Sequence, residues 1–406
     1  MIHYFDNAAT TPVRPEAVQA AVEAMTEGWG NPSSRYALGR EAAARVAGWR
    51  GDVAAGLGCR PEEVFFTSCG SEGDNWAIRG AVELGKRRGS HIITTAIEHA
   101  AVLEPCRELE RQGYEVTYLR PDREGNISLE ELEAALRPDT VLVSMMLVNN
   151  ELGTLLPVAE AAQSIRDAGS PALLHCDAVQ AFLKVPFTPA ELGVDLLTLS
   201  GHKIRAPKGI GVQYIRRGLN LKPLLTGGGQ EGGLRPGTEP TAQAAALAAA
   251  CAAWQEDYPA RIQGIKEYAL ESLSAVPGLE IISRGDAPHI CAVSLPGYPS
   301  EMLVRELQSI TDLPLQLDSS NKDALARALR IYNGKPIVNS VNGEQKVLDS
   351  ILPLCKKYGA AVVGLALDEH GIPKTAEGRF EVAKRIVAAT DAIGIPRGDV
   401  YIDCLT

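Results

Sequence analysis

Lys203 closes the run Ser200-Gly201-His202-Lys203, directly after the apolar stretch Val194-Asp195-Leu196-Leu197-Thr198-Leu199. A lysine at the mouth of a buried strand can attack an aldehyde and hold it as a Schiff base. Asp177 follows an apolar run at 171–176 and can keep a ring nitrogen protonated. His99 stands just before a helical pattern and can stack on a flat ring. Gly70 and Ser71 open another helix, whose free amides and positive end suit a phosphate. Ser200 and His202 flank the lysine and can reach the same phosphate, while Asn150 and Gln180 offer amide groups. Together these residue types are what pyridoxal 5'-phosphate needs: an amine, a carboxylate, a stacking plane, a donor to the phenolic oxygen and a phosphate cradle. Each also has a plainer reading. Asp177 can cap a helix near 178, Gly70 and His99 can be cap-region residues, and Lys203 can be a surface lysine.

The elements that must position these residues follow from the periodicity. Strand-like runs lie at 64–67, 91–95, 115–119, 141–147, 172–176, 194–199 and 210–215. Helical patterns lie at 16–27, 39–57, 73–88, 99–112, 128–136, 158–168 and 239–257, the last continuing as long helix to 275. Strands alternating with helices predict an α/β fold with a mostly parallel seven-stranded sheet covered on both faces. Residues 221–238 hold Gly227, Gly228, Gly229, Gly232, Gly233 and Gly237, which predicts a loop with special backbone geometry or a close approach. Strands at 279–282 and 289–295 and a helix at 300–308 begin a second, smaller domain. From 313 the pattern changes to strands at 313–317, 336–340, 360–367 and 400–403. Helices at 321–331, 344–357 and 376–392 separate them, and the strands end in Asp318, Asn339, Asn342, Asp368 and Asp403. The expected domains are 1–258, 259–307 and 308–406.

A chain of 406 residues has room for two or three domains. A net charge of -10 disfavours a nucleic-acid partner, because phosphates must be collected by a basic surface. Eight cysteines without a CxxC pair argue against both a disulfide scaffold and a metal site, and favour the reducing cytoplasm. The first residues have no signal-peptide pattern, and the alanine-rich run 241–253 is too short to span a membrane.

Residues 1 to about 307 resemble the cysteine desulfurases, class V aminotransferase-like pyridoxal phosphate enzymes of fold type I. The resemblance is carried by Asp6-Asn7-Ala8-Ala9-Thr10-Thr11-Pro12, Thr67-Ser68-Cys69-Gly70-Ser71-Glu72-Gly73-Asp74-Asn75, Glu98-His99 and Val148-Asn149-Asn150-Glu151-Leu152-Gly153. It continues through Asp177-Ala178-Val179-Gln180, Ser200-Gly201-His202-Lys203, Gly227-Gly228-Gly229-Gln230-Glu231 and Arg235-Pro236-Gly237-Thr238. The resemblance implies that Lys203 is the Schiff-base lysine, that His99 stacks on the ring and shuttles protons, and that Asp177 pairs with the ring nitrogen. It implies that Gln180 and Asn150 contact the ring oxygen and the substrate side, and that Gly70, Ser71, Ser200 and His202 hold the phosphate. It further implies a homodimer in which Thr238 reaches the neighbouring subunit's phosphate. The implied reaction converts L-cysteine to L-alanine, a protein thiolate taking the sulfur for an acceptor such as iron–sulfur cluster assembly.

The cysteine loop and the carboxylate-binding arginine of that family do not follow residue 307. Residues from about 308 to 406 instead resemble part of the methyltetrahydrofolate-binding domain of cobalamin-dependent methionine synthases. The matching pieces include Gly334-Lys335-Pro336-Ile337-Val338-Asn339-Ser340-Val341-Asn342-Gly343 and Asp368-Glu369-His370-Gly371-Ile372-Pro373-Lys374-Thr375. That resemblance implies a pterin pocket lined by Asp318, Asn339 and Asp403, whose plainer reading is strand-end capping. The chain thus reads as a composite, with the desulfurase thiol absent from its expected place. Cys355, beside Lys356 and Lys357, and Cys404 are the replacement candidates; a helix cysteine without a role is the plainer reading of Cys355. Three alternatives stand beside desulfuration: another pyridoxal phosphate lyase or aminotransferase, an inactive cofactor-binding composite, and a folate-binding methyltransferase fragment.

Overall fold

The computed structural model describes residues 6–254, 258–283, 286–294, 296, 316–318, 321–332 and 335–405. The described residues fold as two compact units, one up to residue 294 and one beyond it. Each is described by itself.

The larger unit is built on seven strands: β1 (Val64–Thr67), β2 (His91–Thr95), β3 (Glu115–Leu119), β4 (Thr140–Ser144), β5 (Leu173–Asp177), β6 (Leu196–Ser200) and β7 (Gly211–Ile215). Their order across the sheet is β1-β7-β6-β5-β4-β2-β3. Only β7 runs against its neighbours, pairing antiparallel with both β1 and β6. The other six strands therefore end at one edge of the sheet, where open α/β folds collect ligands.

Adjacent residues of the central strands point to opposite faces. Ile93, Val143, Leu174 and Leu197 enter a core shared with helices α1 (Pro15–Thr26), α2 (Ala37–Leu57), α5 (Leu129–Ala135), α6 (Val158–Asp167), α7 (Pro189–Leu192) and α8 (Thr241–Ala252). Ile92, Leu142, Leu173 and Leu196 enter a second core under α3 (Gly70–Gly85) and α4 (Ala100–Arg111), with Trp76 and Val102. Both faces are thus apolar, which is why these strands read as continuous hydrophobic runs. Gly73 lets α3 lie close on β6, for a Cβ there would stand 2.7 Å from Thr198 Cγ2.

Small differences from the sequence reading have local causes. The run 141–147 leaves the strand after Ser144, although Met145 and Leu147 still donate to the carbonyls of His175 and Asp177. The single helix expected over 239–275 is two, α8 and α9 (Tyr258–Ser274). Pro259 explains the break, because proline fits the first turn of a helix and not its interior. Strands β8 (Glu280–Ser283) and β9 (Ala292–Ser294) form an antiparallel pair, the second shorter than expected. The expected helix at 300–308 and strand residues 313–315 lie outside the described residues.

The smaller unit is a parallel sheet ordered β10 (Gln316–Asp318), β11 (Ile337–Val341), β12 (Ala361–Leu365) and β13 (Val400–Asp403). Helices α10 (Lys322–Ile331), α11 (Gln345–Tyr358) and α12 (Ala376–Ala392) connect them. Its own core contains Leu325, Val338, Leu348, Leu352, Val362 and Ile386. This is the β/α pattern expected after residue 313.

Candidate functional site

A cavity of about 540 Å³ opens at the common edge of the strands in the larger unit. Strand β5 ends in buried Asp177, whose Oδ1 accepts from Val179 N–H at 2.9 Å. Strand β6 ends in buried Ser200 and passes into a single 3₁₀ turn, Gly201–Lys203. That turn is short because Ile204 and Ala206 N–H both return to the Gly201 carbonyl. Lys203 Nζ donates to the carbonyls of Ala8 (2.5 Å) and Ala9 (2.7 Å). Burial lowers the Lys203 ammonium's pKa, against the opposing pull of Asp177 and Asp6. A lysine poised this way gives up a proton more readily than a solvated one.

The remaining walls come from three connections. Strand β1 feeds the N-terminus of α3, where Gly70 and Ser71 line the cavity. A Cβ on Gly70 would stand 3.0 Å from Val179 Cγ2, so a side chain there would crowd the cavity floor. His99 caps α4 by accepting from Ala101 N–H at 3.1 Å, and its exposed ring lines the cavity mouth. Asn150 lies on the far wall. Gln180 lines the cavity with its amide fixed at both ends, Nε2 donating to the Ala8 carbonyl at 2.8 Å and Oε1 accepting from Lys184 Nζ at 3.3 Å. His202 Nδ1 meets Thr10 Oγ1 at 3.1 Å. Burial, with Lys203, Lys208 and Lys184 nearby, holds the His202 imidazole down to about 4, so it is neutral at physiological pH.

Nine of the ten expected cofactor residues therefore line one cavity. The tenth, Thr238, is exposed and is not among the lining residues. The glycine-rich loop that carries it is tied to the site differently: Arg235 pairs with Glu72 of α3 at 2.8 Å. Within that loop Gly232, Gly233 and Gly237 have positive φ, whereas Gly227, Gly228 and Gly229 do not.

Sequence reasoning missed the buried acids of this region. Asp74 lines the cavity and is 1% exposed. Glu98 accepts from Met146 N–H (2.8 Å) and Thr95 Oγ1 (2.9 Å). Burial pushes the Glu98 carboxyl up to about 8, with Asp177's charge adding to the rise. The only signal available was that both acids lie inside the quoted motifs. The folded state thus holds the Glu98 proton more tightly than an unfolded chain titrating near 4.5. The stability this group contributes is full below that value and is lost as pH rises to about 8. Relative to Glu98→Gln, wild-type stability is expected to fall across that window, by at most about 1.4 kcal/mol per pH unit. Urea midpoints of both proteins, measured through the window, check this; a flat difference would refute the shift.

The replacement thiols fare unequally. Cys355 is buried in the core of the smaller unit, and burial pushes its thiol up to about 12, so Lys356 and Lys357 do not activate it. Cys404 is exposed. In the same unit Asp318, Asn339 and Asn342 line a cavity of about 230 Å³ with Lys322, and Asn339 donates to Asp318 at 3.3 Å. Asp403 is not among its lining residues; its carboxylate accepts from Leu405 N–H at 2.9 Å, as a strand-end cap does.

Comparison with known proteins gives two family matches. Residues 3–311 match the aminotransferase class-V model, and residues 301–406 match the pterin binding enzyme model. Cysteine desulfurase 2 of Trichormus variabilis is 50% identical over 234 residues, 58% of this chain and 58% of that protein. The chain thus matches somewhat over half the length of the first such relatives. Cysteine desulfurase IscS of Salmonella newport is 40% identical over 319 residues, 76% of this chain and 78% of that protein. Among solved structures, a NifS-like protein superposes with a TM-score of 0.72 at 38% identity, covering 76% of this chain and 86% of its own. SspA in complex with cysteine gives 0.66 at 33%, covering 77% and 88%.

Proposed function

The chain belongs to the aminotransferase class-V family, and we propose that it is a pyridoxal-phosphate-dependent enzyme of the cysteine desulfurase type, acting on L-cysteine. The observation that carries this reading is the convergence of Lys203, Asp177, His99 and the amino end of α3 on one cavity. The donor set fits the cofactor: an amine, a buried carboxyl, free helix amides and a glycine floor that a Cβ would crowd. When bound, pyridoxal 5'-phosphate supplies the aldehyde for the lysine and the electron-accepting ring.

In this reading Gly70, Ser71, Ser200 and His202 hold the phosphate, His202 as a neutral donor. Asp177 holds a proton on the ring nitrogen. Gln180, its amide orientation set by the Ala8 carbonyl, turns its other N–H to the ring oxygen, with Asn150 beside it. His99 covers the ring, and Lys203 removes the substrate α-proton once its amine is free. Thr238, outside the cavity of its own chain, reaches the cofactor phosphate of a partner subunit in a homodimer. The solved relative described with cysteine supports cysteine as substrate. Among the described residues no helix is long and apolar enough to cross a membrane, and a cytoplasmic location, with sulfur delivered to an acceptor for iron–sulfur assembly, completes the proposal.

Of the described cysteines only Cys69 lines the cavity, next to Gly70. Sulfur transfer is therefore the weakened step. The test is the absorption spectrum of the cofactor-loaded protein before and after adding cysteine, with alanine, pyruvate and sulfide assayed together. A visible band that shifts with cysteine and yields alanine is expected. Pyruvate with free sulfide would favour a lyase, and no band at all would refute the site.

A further inference from the structure

Asp74 has no role in the scheme above, yet it lines the cavity from α3 and is 1% exposed. Its Oδ1 has no hydrogen-bond partner. Beside it runs a chain of buried side chains that crosses four strands on the face under α3. Ser144 of β4 meets His175 Nδ1 at 2.9 Å. His175 Nε2 meets Thr198 Oγ1 of β6 at 3.0 Å. Thr198 Oγ1 meets Gln213 Oε1 of β7 at 3.1 Å. Gln213 Nε2 donates to the Tyr214 carbonyl at 3.0 Å.

The direction of every hydrogen in this chain follows from its last member. A backbone carbonyl only accepts, so Gln213 must present Nε2 to Tyr214 and its Oε1 to Thr198. Thr198 must then donate its one hydrogen to Gln213. Its oxygen accepts from His175, which fixes the proton on Nε2, and Nδ1 accepts from the Ser144 hydroxyl. His175 stays neutral, since burial drives its imidazole down to about 3. Asp74 Oδ1 lies 3.5 Å from His175 Nε2, but that N–H is directed at Thr198. Thr198 lowers Asp74's pKa by a hydrogen bond, but shares that single hydrogen with Gln213. Asp74 Oδ1 is left without a hydrogen-bond partner among the described residues.

The charges nearby agree. Burial raises Asp74's pKa and the Asp177 charge raises it further, which together outweigh the Thr198 hydrogen bond. Burial raises Asp177's pKa as well, but Asp177 is the better anion of the two: it accepts from Val179 N–H, and His99 and Lys203 oppose the rise. Two buried carboxyls this close divide one charge unequally.

We propose that Asp74 is a positioning residue, a neutral carboxylic acid beside the Ser144–His175–Thr198–Gln213 chain, whose own proton is a donor to the cavity floor and which leaves Asp177 as the buried anion there. The consequence for the ring nitrogen rests on the proposed cofactor site; the protonation of Asp74 does not.

Infrared spectra of the cofactor-free protein at neutral pH therefore decide the first part. Wild type minus Asp74→Asn is expected to show the carbonyl stretch of a protonated carboxylic acid, and the same band must survive in Glu98→Gln. A difference spectrum showing only carboxylate stretches overturns the proposal. Thr198→Val, which removes the hydroxyl next to Asp74, is expected to shift the band without removing it; an unmoved band detaches Asp74 from the chain and overturns that part.

The loaded protein gives the second readout, the pH midpoint of the visible band. Asp74→Asn, neutral like the acid it replaces, is expected to keep the proton affinity within about threefold of wild type. Asp74→Ala, which lacks the donor, is expected to change it by about tenfold or more. A tenfold change in Asp74→Asn would mean that Asp74 carries charge. If no cofactor binds, the functional reading fails while the infrared result still stands.

Discussion

Lys203→Ala is expected to abolish the visible band of the cofactor-loaded protein and to lower turnover of cysteine by about four orders of magnitude. In the proposed reading one residue both attaches the aldehyde and moves the α-proton, and effects of that size follow when nucleophile and base are removed together. The position leaves little room for a substitute. Lys203 ends a one-turn segment whose backbone is closed on Gly201, and its amine is already gathered by the Ala8 and Ala9 carbonyls beside the cavity. The described residues that line the cavity contain no second lysine. Lys203→Arg keeps charge and donors without a usable amine, so it is expected to lose the band as fully while unfolding at the temperature of wild type. Persistence of the band in either variant would place the attachment elsewhere.

Glu231→Ala is expected to cost about 3–5 kcal/mol of stability, the usual result of leaving one partner of a buried ion pair alone. Glu231 has a side chain 3% exposed and Arg50 one 18% exposed. Both terminal guanidinium nitrogens of Arg50 donate to the Glu231 carboxylate, at 2.6 and 2.7 Å. The same carboxylate accepts from Phe66 N–H at 3.0 Å, and the guanidinium lies 4.8 Å from the Phe66 ring centre. One side chain thus joins α2, β1 and the glycine-rich loop. Glu231 holds this contact in a left-handed conformation, φ 49°, unusual outside glycine. Glu231→Gln keeps the shape and loses the charge, so it is expected to lie between the two. Urea unfolding of the cofactor-free protein gives the measurement, and Arg50→Met in the Glu231→Ala background is expected to recover part of the loss. A change within about 0.5 kcal/mol, typical of surface positions, would remove this pair as a fastening.

The same loop shows where sequence patterns stop being informative. Its glycines marked an irregular segment, and three of them do adopt positive φ. Nothing in their spacing marked Glu231, whose two partners lie 181 and 165 residues away in sequence. Cys355 is a similar case. Its two lysine neighbours suggested an activated thiol, but those lysines lie beyond the helix face that enters the core. Burial decided the thiol's state, and burial is a property of the packed helix. For Asp403 a strand-end position was legible, while its use as a local cap instead of a cavity wall depended on where the neighbouring strands end.

By itself the sequence determined the elements and the edge at which the chemistry gathers. Strands at 64–67, 91–95, 115–119 and 400–403 and the helix at 376–392 agree with the observed bounds. They do so because local apolar runs and periodicities encode them. It also determined that Lys203, Asp177, Ser200 and Gly70 share one mouth, since parallel strands bring their carboxyl ends together. Which acids are buried, and in what state, depends instead on how the sheet and its helices pack. Asp74, Glu98 and His175 acquire their character from strand register and from α3 lying on β6, contacts that join residues with no relation along the chain. Desolvation and hydrogen-bond direction are set by such neighbours, so they become visible only once the sheet is assembled.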